Sequence, residues 1–373
     1  MIGTAAQDDS VLSETEITAR RSKNPMRVLF DIVHPADVLF FKRPIEALQR
    51  RGDMVLILSR HKDVTCTLLD EFGFEHRPVT CAGKGTLGLA IEFIHRDWSV
   101  FWAVRRFRPN VMIGFGGVAI SHAGRLLSVP SVSFYDSENA TLQNRITWPF
   151  ISRLYVPDSY QGPVPKGRTT RIPGTKELSY LHPSAFRPDR NAALQLGLDP
   201  DVENFFVRVV AWRANHDLGK SGWTRDTLAR VIERLSALGR VHLSTEMPLG
   251  SDFAPYLVKG PKTEIHHLLA FCRLLVGESA TMASEAAVLG VPAIYAGVDF
   301  PGYVKALENA NLVINIADSS ADNILAAIDA ALIRQPADVQ VARDRYIAEC
   351  PDWAQTVLNA LDDTADTRHR TDH

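Results

Sequence analysis

The stretch Leu274-Leu-Val276-Gly277-Glu278-Ser279-Ala-Thr281-Met282-Ala-Ser284-Glu285-Ala-Ala-Val-Leu289-Gly290-Val-Pro292-Ala-Ile-Tyr295 decides the fold. The apolar run Leu274–Val276 reads as a buried strand. A turn of small hydroxyl residues then opens a helix over Thr281–Leu289, which Gly290 ends as a C′ residue. Pro292–Tyr295 reads as the next strand. Strand, helix and strand in so short a span make one unit of a parallel sheet.

The same cycle recurs on either side. Met26–Val33 is a buried-strand run closed by His34-Pro35, and Phe40–Arg51 has helical spacing ending at Gly52. Val55–Leu58 reads as a strand, followed by a helix through Phe72. The glycine-rich loop Gly83–Gly88 leads into a long aromatic helix to about Phe107. Val111–Ile113 and Val132–Phe134 supply two further strands. A proline- and glycine-rich stretch, Val156–Gly167, reads as a linker or domain-edge loop. Beyond it Phe205–Ala211 and Val241–Ser244 read as strands, Trp223–Leu238 as a helix, and residues 319–360 as helical. Residues 1–25 and about 362–373 are polar and without periodicity, so they read as disordered ends. The expected organisation is a tail (1–25), a first Rossmann-like domain (26–167), a second (168–345), and a C-terminal helix and tail (346–373). Two doubly wound α/β domains would then face each other across a cleft, where open sheets bind ligands.

Composition narrows the function. The 373 residues are 46% hydrophobic and 23% charged, a globular balance, with a net charge of -2. No global basic field exists to hold a nucleic-acid backbone, so nucleic acid is not an expected partner. Four scattered cysteines without a CxxC pair exclude a zinc ribbon and a disulfide scaffold and fit a cytoplasmic location. No HExxH occurs and no DxD sits at a strand end, so no metal is expected.

Candidate chemistry gathers at predicted strand ends. His34 suits a general base, with Asp37 or Asp31 to orient it; the alternative is that His34 caps the strand and Asp37 the next helix. Gly116 and Gly117 open a helix where a ligand could approach the backbone, or where the chain merely needs a tight turn. Glu138 could bind sugar hydroxyls or serve as a second base. Arg213 could pair with a phosphate, beside His216, or form a strand-edge ion pair with Asp217. The turn at Ser279, Thr281 and Met282 presents amides and hydroxyls to a diphosphate. Glu285, about one turn into that helix, is placed to accept hydrogen bonds from ribose hydroxyls. The helix holding Ile91, Ile94, Trp98 and Trp102 ends in Arg105, Arg106 and Arg108. That pattern suits an anionic membrane surface as well as a packed helix with a solvated tip.

At these residues the chain resembles the GT-B superfamily of nucleotide-sugar glycosyltransferases and UDP-N-acetylglucosamine 2-epimerases, and within it a family of unknown function. The resemblance spans about residues 26–350. It is carried by His34-Pro35 leading to Lys42-Arg-Pro44-Ile-Glu-Ala-Leu48, by Gly114-Phe-Gly-Gly117, which is similar to the lipid-linked N-acetylglucosaminyltransferase of peptidoglycan synthesis, and by Ser279–Pro292. Ala280 and Thr281 replace glycines of the epimerase motif. The resemblance implies that Glu285 holds ribose, that Ser279–Met282 holds diphosphate, that Arg213 stands near the phosphates, and that His34 faces the sugar or acceptor. It implies a transferase moving a sugar from a nucleotide-diphosphate donor to a hydroxyl of a sugar or lipid-linked acceptor, in surface polysaccharide or glycolipid synthesis. The nucleotide sugar is then a substrate, and no resident cofactor is expected. The rivals are an epimerase-like enzyme acting on the nucleotide sugar itself and a non-catalytic nucleotide-sugar-binding protein. An acid that the epimerases carry after the fourth strand is replaced here by Gly116 or Gly117.

Overall fold

A computed structural model describes residues 25–61, 64–81, 85–210, 222–245 and 249–371. The first lobe is a seven-stranded parallel sheet: β1 (Arg27–Ile32), β2 (Met54–His61), β3 (His76–Cys81), β4 (Val111–Phe115), β5 (Ser131–Phe134), β6 (Arg153–Pro157) and β7 (Thr169–Ile172). Its strand order is β3-β2-β1-β4-β5-β6-β7. Phe30 of β1 lies level with Ile57 on one side and Ile113 on the other. Helices α1 (Pro35–Arg51), α2 (Thr65–Glu71), α3 (Gly85–Phe107), α4 (Val118–Leu127) and α5 (Thr141–Thr147) connect the strands.

The second lobe has five parallel strands, β8 (Glu203–Val209), β9 (Gly239–Thr245), β10 (Leu274–Gly277), β11 (Ala293–Tyr295) and β12 (Val313–Asn315), in the order β12-β11-β10-β8-β9. Around it lie α6 (Arg190–Gln195), α7 (Arg225–Ser236), α8 (Ile265–Leu269), α9 (Ala280–Leu289), α10 (Gly302–Asn309), α11 (Ala321–Ile333) and α12 (Pro336–Ala348). A last helix, α13 (Trp353–Thr371), packs against α1 of the first lobe. Its Trp353 is buried beside Phe40 and Phe134, and the indole N–H donates to Pro173 O at 3.0 Å. Arg43 grips Asp352 through two 2.8 Å bonds, and Arg51 grips Asp362 through two of 2.9 Å.

In each sheet the strand order reverses at one point: between β1 and β4 in the first, between β8 and β10 in the second. The loops leaving those strands diverge there and open a crevice. His34 and the Gly116-Gly117 turn flank the first crevice. The segments after β8 and β10 flank the second.

Local sequence explains α1. His34 and Asp37 form a reciprocal capping box, Pro35 begins the helix, and Gly52 ends it at φ 86°. Val38, Phe41, Ile45 and Leu48 form its buried stripe. Pro44 has no N–H for the carbonyl one turn back, that of Phe40. Ser179, from a 3-10 turn (Lys176–Ser179) between the lobes, donates its hydroxyl to that carbonyl at 2.5 Å.

Three expectations change. The sheet of the first lobe runs past residue 167, because β7 lies beyond the proline-rich stretch and pairs with β6. The segment after 362 is not disordered: α13 continues to Thr371, held by Arg51. Gly85–Gly88 forms the first turn of α3 rather than a loop, while residues 82–84 lie outside the described residues, as does the expected tail through residue 24.

Candidate active site

At the first crevice the two expected catalytic groups are engaged in building the helix. His34 Nδ1 accepts the Ala36 N–H at 3.2 Å, so a neutral ring carries its proton on Nε2. Asp37 Oδ2 accepts the Val33 and His34 amides at 3.1 and 2.9 Å. Burial pushes the Asp37 carboxyl up to about 7, against these two bonds and the nearby charge of Lys176. His34 is exposed at the mouth of the crevice. Gly116 and Gly117 take left-handed φ values of 81° and 61°, which only glycine adopts without strain. The turn delivers the N-terminus of α4 with no side-chain cap, leaving its amides toward the crevice.

At the second crevice Ser279 is the N-cap of α9, and its Oγ accepts the Met282 N–H at 3.2 Å. The Met282 amide is therefore taken, and its side chain is buried. The open part of the turn is Ser279, Ala280 and Thr281, all partly exposed. Arg213 and His216 lie outside the described residues. The residues on either side of their segment are tied together by one carboxylate: Glu278 accepts the Val210 N–H at 3.2 Å and the Trp223 N–H at 2.7 Å. Burial raises the Glu278 carboxyl.

Glu285 lies beneath this turn and is only 4% exposed. Its Oε1 accepts the Tyr180 hydroxyl at 2.8 Å and stands 2.9 Å from His266 Nε2. Burial works to raise this carboxyl, but His266 and Tyr180 outweigh it and hold the group below its ordinary range. To grip a ribose, Glu285 would have to exchange these partners.

Glu138 sits between the lobes. Its Oε1 accepts the Gly302 N–H of α10 at 3.1 Å and the Gln161 N–H at 3.3 Å, so here it clasps the N-terminus of a helix in the opposite lobe. Beside it runs a buried polar chain of which the sequence reading had only Asp136, a carboxylate at the end of the fifth strand read as a possible helix cap. Lys176 Nζ bonds Asp136 Oδ2 at 2.5 Å and lies 3.7 Å from Glu177 Oε1, and Ser284 donates to Glu177 Oε2 at 2.8 Å. Burial pulls the Lys176 ammonium down, but Asp136, Tyr303 and Glu177 hold it well above its ordinary value. Lys176 also sits over the rings of Phe115 and Tyr303, one from each lobe. Its traces in the sequence are the strand-end Asp136 and a Lys-Glu pair with Leu178 and Tyr180 as apolar company.

A second feature was missed. Beside Gly117 lies a cavity of about 300 Å³ whose wall includes Asp31, Arg60, Glu92, Arg96, Asp97 and Gln143. An arginine and two acids amid the aromatics of α3 are its trace in the sequence.

Residues 26–325 match the family described as "Protein of unknown function (DUF354)", and the chain belongs to that family. It is 24% identical over 287 residues to the UDP-N-acetylglucosamine--N-acetylmuramyl-(pentapeptide) pyrophosphoryl-undecaprenol N-acetylglucosamine transferase of Burkholderia cenocepacia, covering 74% of this chain and 76% of that one. The enzyme of the same name from Cupriavidus necator is 25% identical over 155 residues, 39% of this chain and 43% of that one. Among solved structures, a putative UDP-N-acetylglucosamine 2-epimerase from Listeria monocytogenes superposes with a TM-score of 0.65 at 12% identity, over 91% of this chain and 96% of that one. The glycotransferase of kitacinnamycin gives 0.62 at 14% identity, over 91% and 100%. The architecture is that of the GT-B fold, two Rossmann-like domains.

Proposed function

We propose that this protein is a GT-B glycosyltransferase that moves a sugar from a nucleotide-diphosphate donor to a hydroxyl acceptor. The observation that carries the reading is the pair of helix N-termini at the strand-order reversals of the two sheets: α4, which has no side-chain cap, and α9, where the Ser279 cap takes only the Met282 amide. Such ends bind anions through unpaired amides and the helix dipole. We assign the donor diphosphate to the Ala280 and Thr281 amides, which would stabilise it as it departs. The curated relatives, named as N-acetylglucosamine transferases, support the reaction class. His34 has its Nδ1 committed to the cap, so acting as a base at that nitrogen would require the ring to leave the cap.

No helix among the described residues is long and apolar enough to cross a membrane. On α3, however, Ile94 and Trp98 are 69% and 61% exposed, with Ile91 and Trp102 alongside and Arg105, Arg106 and Arg108 at the end. We assign this stripe to contact with an anionic bilayer. Cosedimentation with phosphatidylglycerol vesicles, lost in Trp98→Ala/Trp102→Ala, would support it.

A thermal-shift series against nucleoside diphosphates and nucleotide sugars tests the donor assignment. A ligand at 100 times its Kd adds about 2.7 kcal/mol to the folded state. Absence of any shift, or conversion of UDP-N-acetylglucosamine without an acceptor, would overturn the transferase reading.

A further inference from the structure

We infer that a second pocket of the first lobe, at the end of α4 remote from the crevice, binds the phosphate group of a small phosphorylated ligand. This goes beyond the transferase reading and does not depend on it.

The pocket holds about 530 Å³ and lies where the N-terminal ends of β5, β6 and β7 meet the last turn of α4 and the flank of α13. The ten residues of α4 put it about 15 Å from the Gly117 turn, so its ligand is a different one from any in the crevice. Its wall carries the guanidinium groups of Arg125, Arg153 and Arg168 and no acid, in a chain whose net charge is -2. Asp363, next to Thr364 in α13, acts on Tyr155 as Arg153 does, but it is not part of the wall.

The three arginines play two parts. Arg168 is fixed, because its terminal nitrogens donate to the Ile151 and Trp148 carbonyls at 2.5 and 3.0 Å. Those acceptors are neutral, so the guanidinium is held in place with its charge uncompensated. Arg125, in the last turn of α4, and Arg153, at the start of β6, are exposed and make no hydrogen bond or ion pair among the described residues. Helix C-termini favour cations, and Arg168 serves the end of α5 in that way. Arg125 and Arg153 donate to no carbonyl, so capping does not account for them. Three like charges around one hollow repel one another, and a bound dianion reverses that term.

Hydroxyls complete the set of donors. Ser152 Oγ accepts the Ser131 N–H at 3.1 Å, which leaves its own hydrogen to donate. Thr364 is 8% exposed and has no hydrogen-bond partner among the described residues. A phosphate offers acceptors on every oxygen, and guanidinium forks match it in pairs. The volume is larger than a phosphate needs and falls within the ordinary range of small-ligand pockets. Val129, Pro130 and Phe150 give apolar surface for the organic part.

The test uses the full chain in phosphate-free buffer at low salt. Calorimetry takes inorganic phosphate and sn-glycerol 3-phosphate as soluble probes, and cosedimentation takes phosphatidylglycerol vesicles. At least one probe is expected to bind. Arg125→Ala/Arg153→Ala is expected to weaken that binding about tenfold or more. Arg125→Lys/Arg153→Lys keeps both charges but loses the planar forks, and it too is expected to bind less tightly. Lys259→Ala/Arg345→Ala removes two exposed cations elsewhere and is expected to change little. Soluble-probe binding lost in the alanine variant identifies a free phosphorylated ligand. Vesicle binding lost in it, with no soluble probe bound, identifies a lipid headgroup. Either result upholds the phosphate site. No binding of any probe, undiminished binding in Arg125→Ala/Arg153→Ala, or an equal loss in Lys259→Ala/Arg345→Ala overturns it. The thermal shift with UDP is expected to persist in the pocket variants, and its loss there would overturn the separateness of the site. A parent chain that binds phosphate here but shows no UDP shift sinks the transferase reading and leaves the pocket standing.

Discussion

The Ser179 hydroxyl donates at 2.5 Å to the Phe40 carbonyl, the one backbone acceptor that Pro44 leaves without a partner inside α1. A helix defect in one lobe is thus filled by the turn that leads to the other. Ser179→Ala is expected to lower stability by about 1–3 kcal/mol, because the carbonyl stays buried and unmet. Pro44→Ala restores a backbone donor, so the same Ser179→Ala change made in that background should matter less. Denaturant unfolding of the four proteins measures the coupling; equal effects in both backgrounds would refute the relationship.

Tyr180 and Glu285 lie 105 residues apart and meet across the lobes. Glu285→Ala removes the acceptor that faces both the Tyr180 hydroxyl and His266 Nε2, so two buried polar groups lose their partner at about 1–3 kcal/mol each. Tyr180→Phe should lose only about 1–3 kcal/mol. If ribose replaces Tyr180 on Glu285 in the loaded state, Tyr180→Phe will bind UDP at least as tightly as the parent. Isothermal calorimetry showing weaker binding would place the ribose elsewhere.

The Asp37 carboxyl sits at about 7 in the folded chain, against an ordinary 3.8. Between about pH 4 and 7 the unfolded state has already released this proton while the native state keeps it, so this group makes stability fall as pH rises through that window. Both amides it accepts converge on Oδ2, an arrangement the single carbonyl of Asn reproduces. Asp37→Asn is expected to flatten the Tm profile over this window and to match or exceed the parent above pH 7. An unchanged slope in a pH series of melting curves would be the contrary result.

Lys176→Met removes the cation from between Asp136 and Glu177, and a loss of about 3–5 kcal/mol is expected. Adding Asp136→Asn removes one stranded charge and should recover part of it. A double variant no more stable than the single one, by chemical denaturation, would contradict the charge explanation.

Much of the scaffold was readable because it is local. Gly52 and Gly290 both end helices at positive φ, and the apolar runs at 26–33 and 274–276 became central strands. The outer strands escaped notice because exposure relaxes their composition: β3 carries Arg77 and Pro78, and β7 is Thr-Thr-Arg-Ile. Prolines at 157–165 signalled a linker or a domain-edge loop, and the chain there turns from β6 to β7 at the edge of the first sheet. The two glycines at the first crevice and Ser279 at the second stand where strand-end logic put them. The occupations of Glu138 and Glu285 could not be read, since their partners Gly302, Tyr180 and His266 are distant in sequence and periodicity carries no information on such pairings. The same holds for Asp31 with Arg96, and for Asp97 with His122.

The placement of α13 has a consequence for biogenesis. Trp353 completes an aromatic cluster with Phe40 and Phe134, so residues translated near the beginning wait for residues translated near the end. A chain released before residue 353 lacks the indole that packs on both rings and the helix that Arg51 grips, so the opening lobe closes its aromatic cluster only once the final helix has docked.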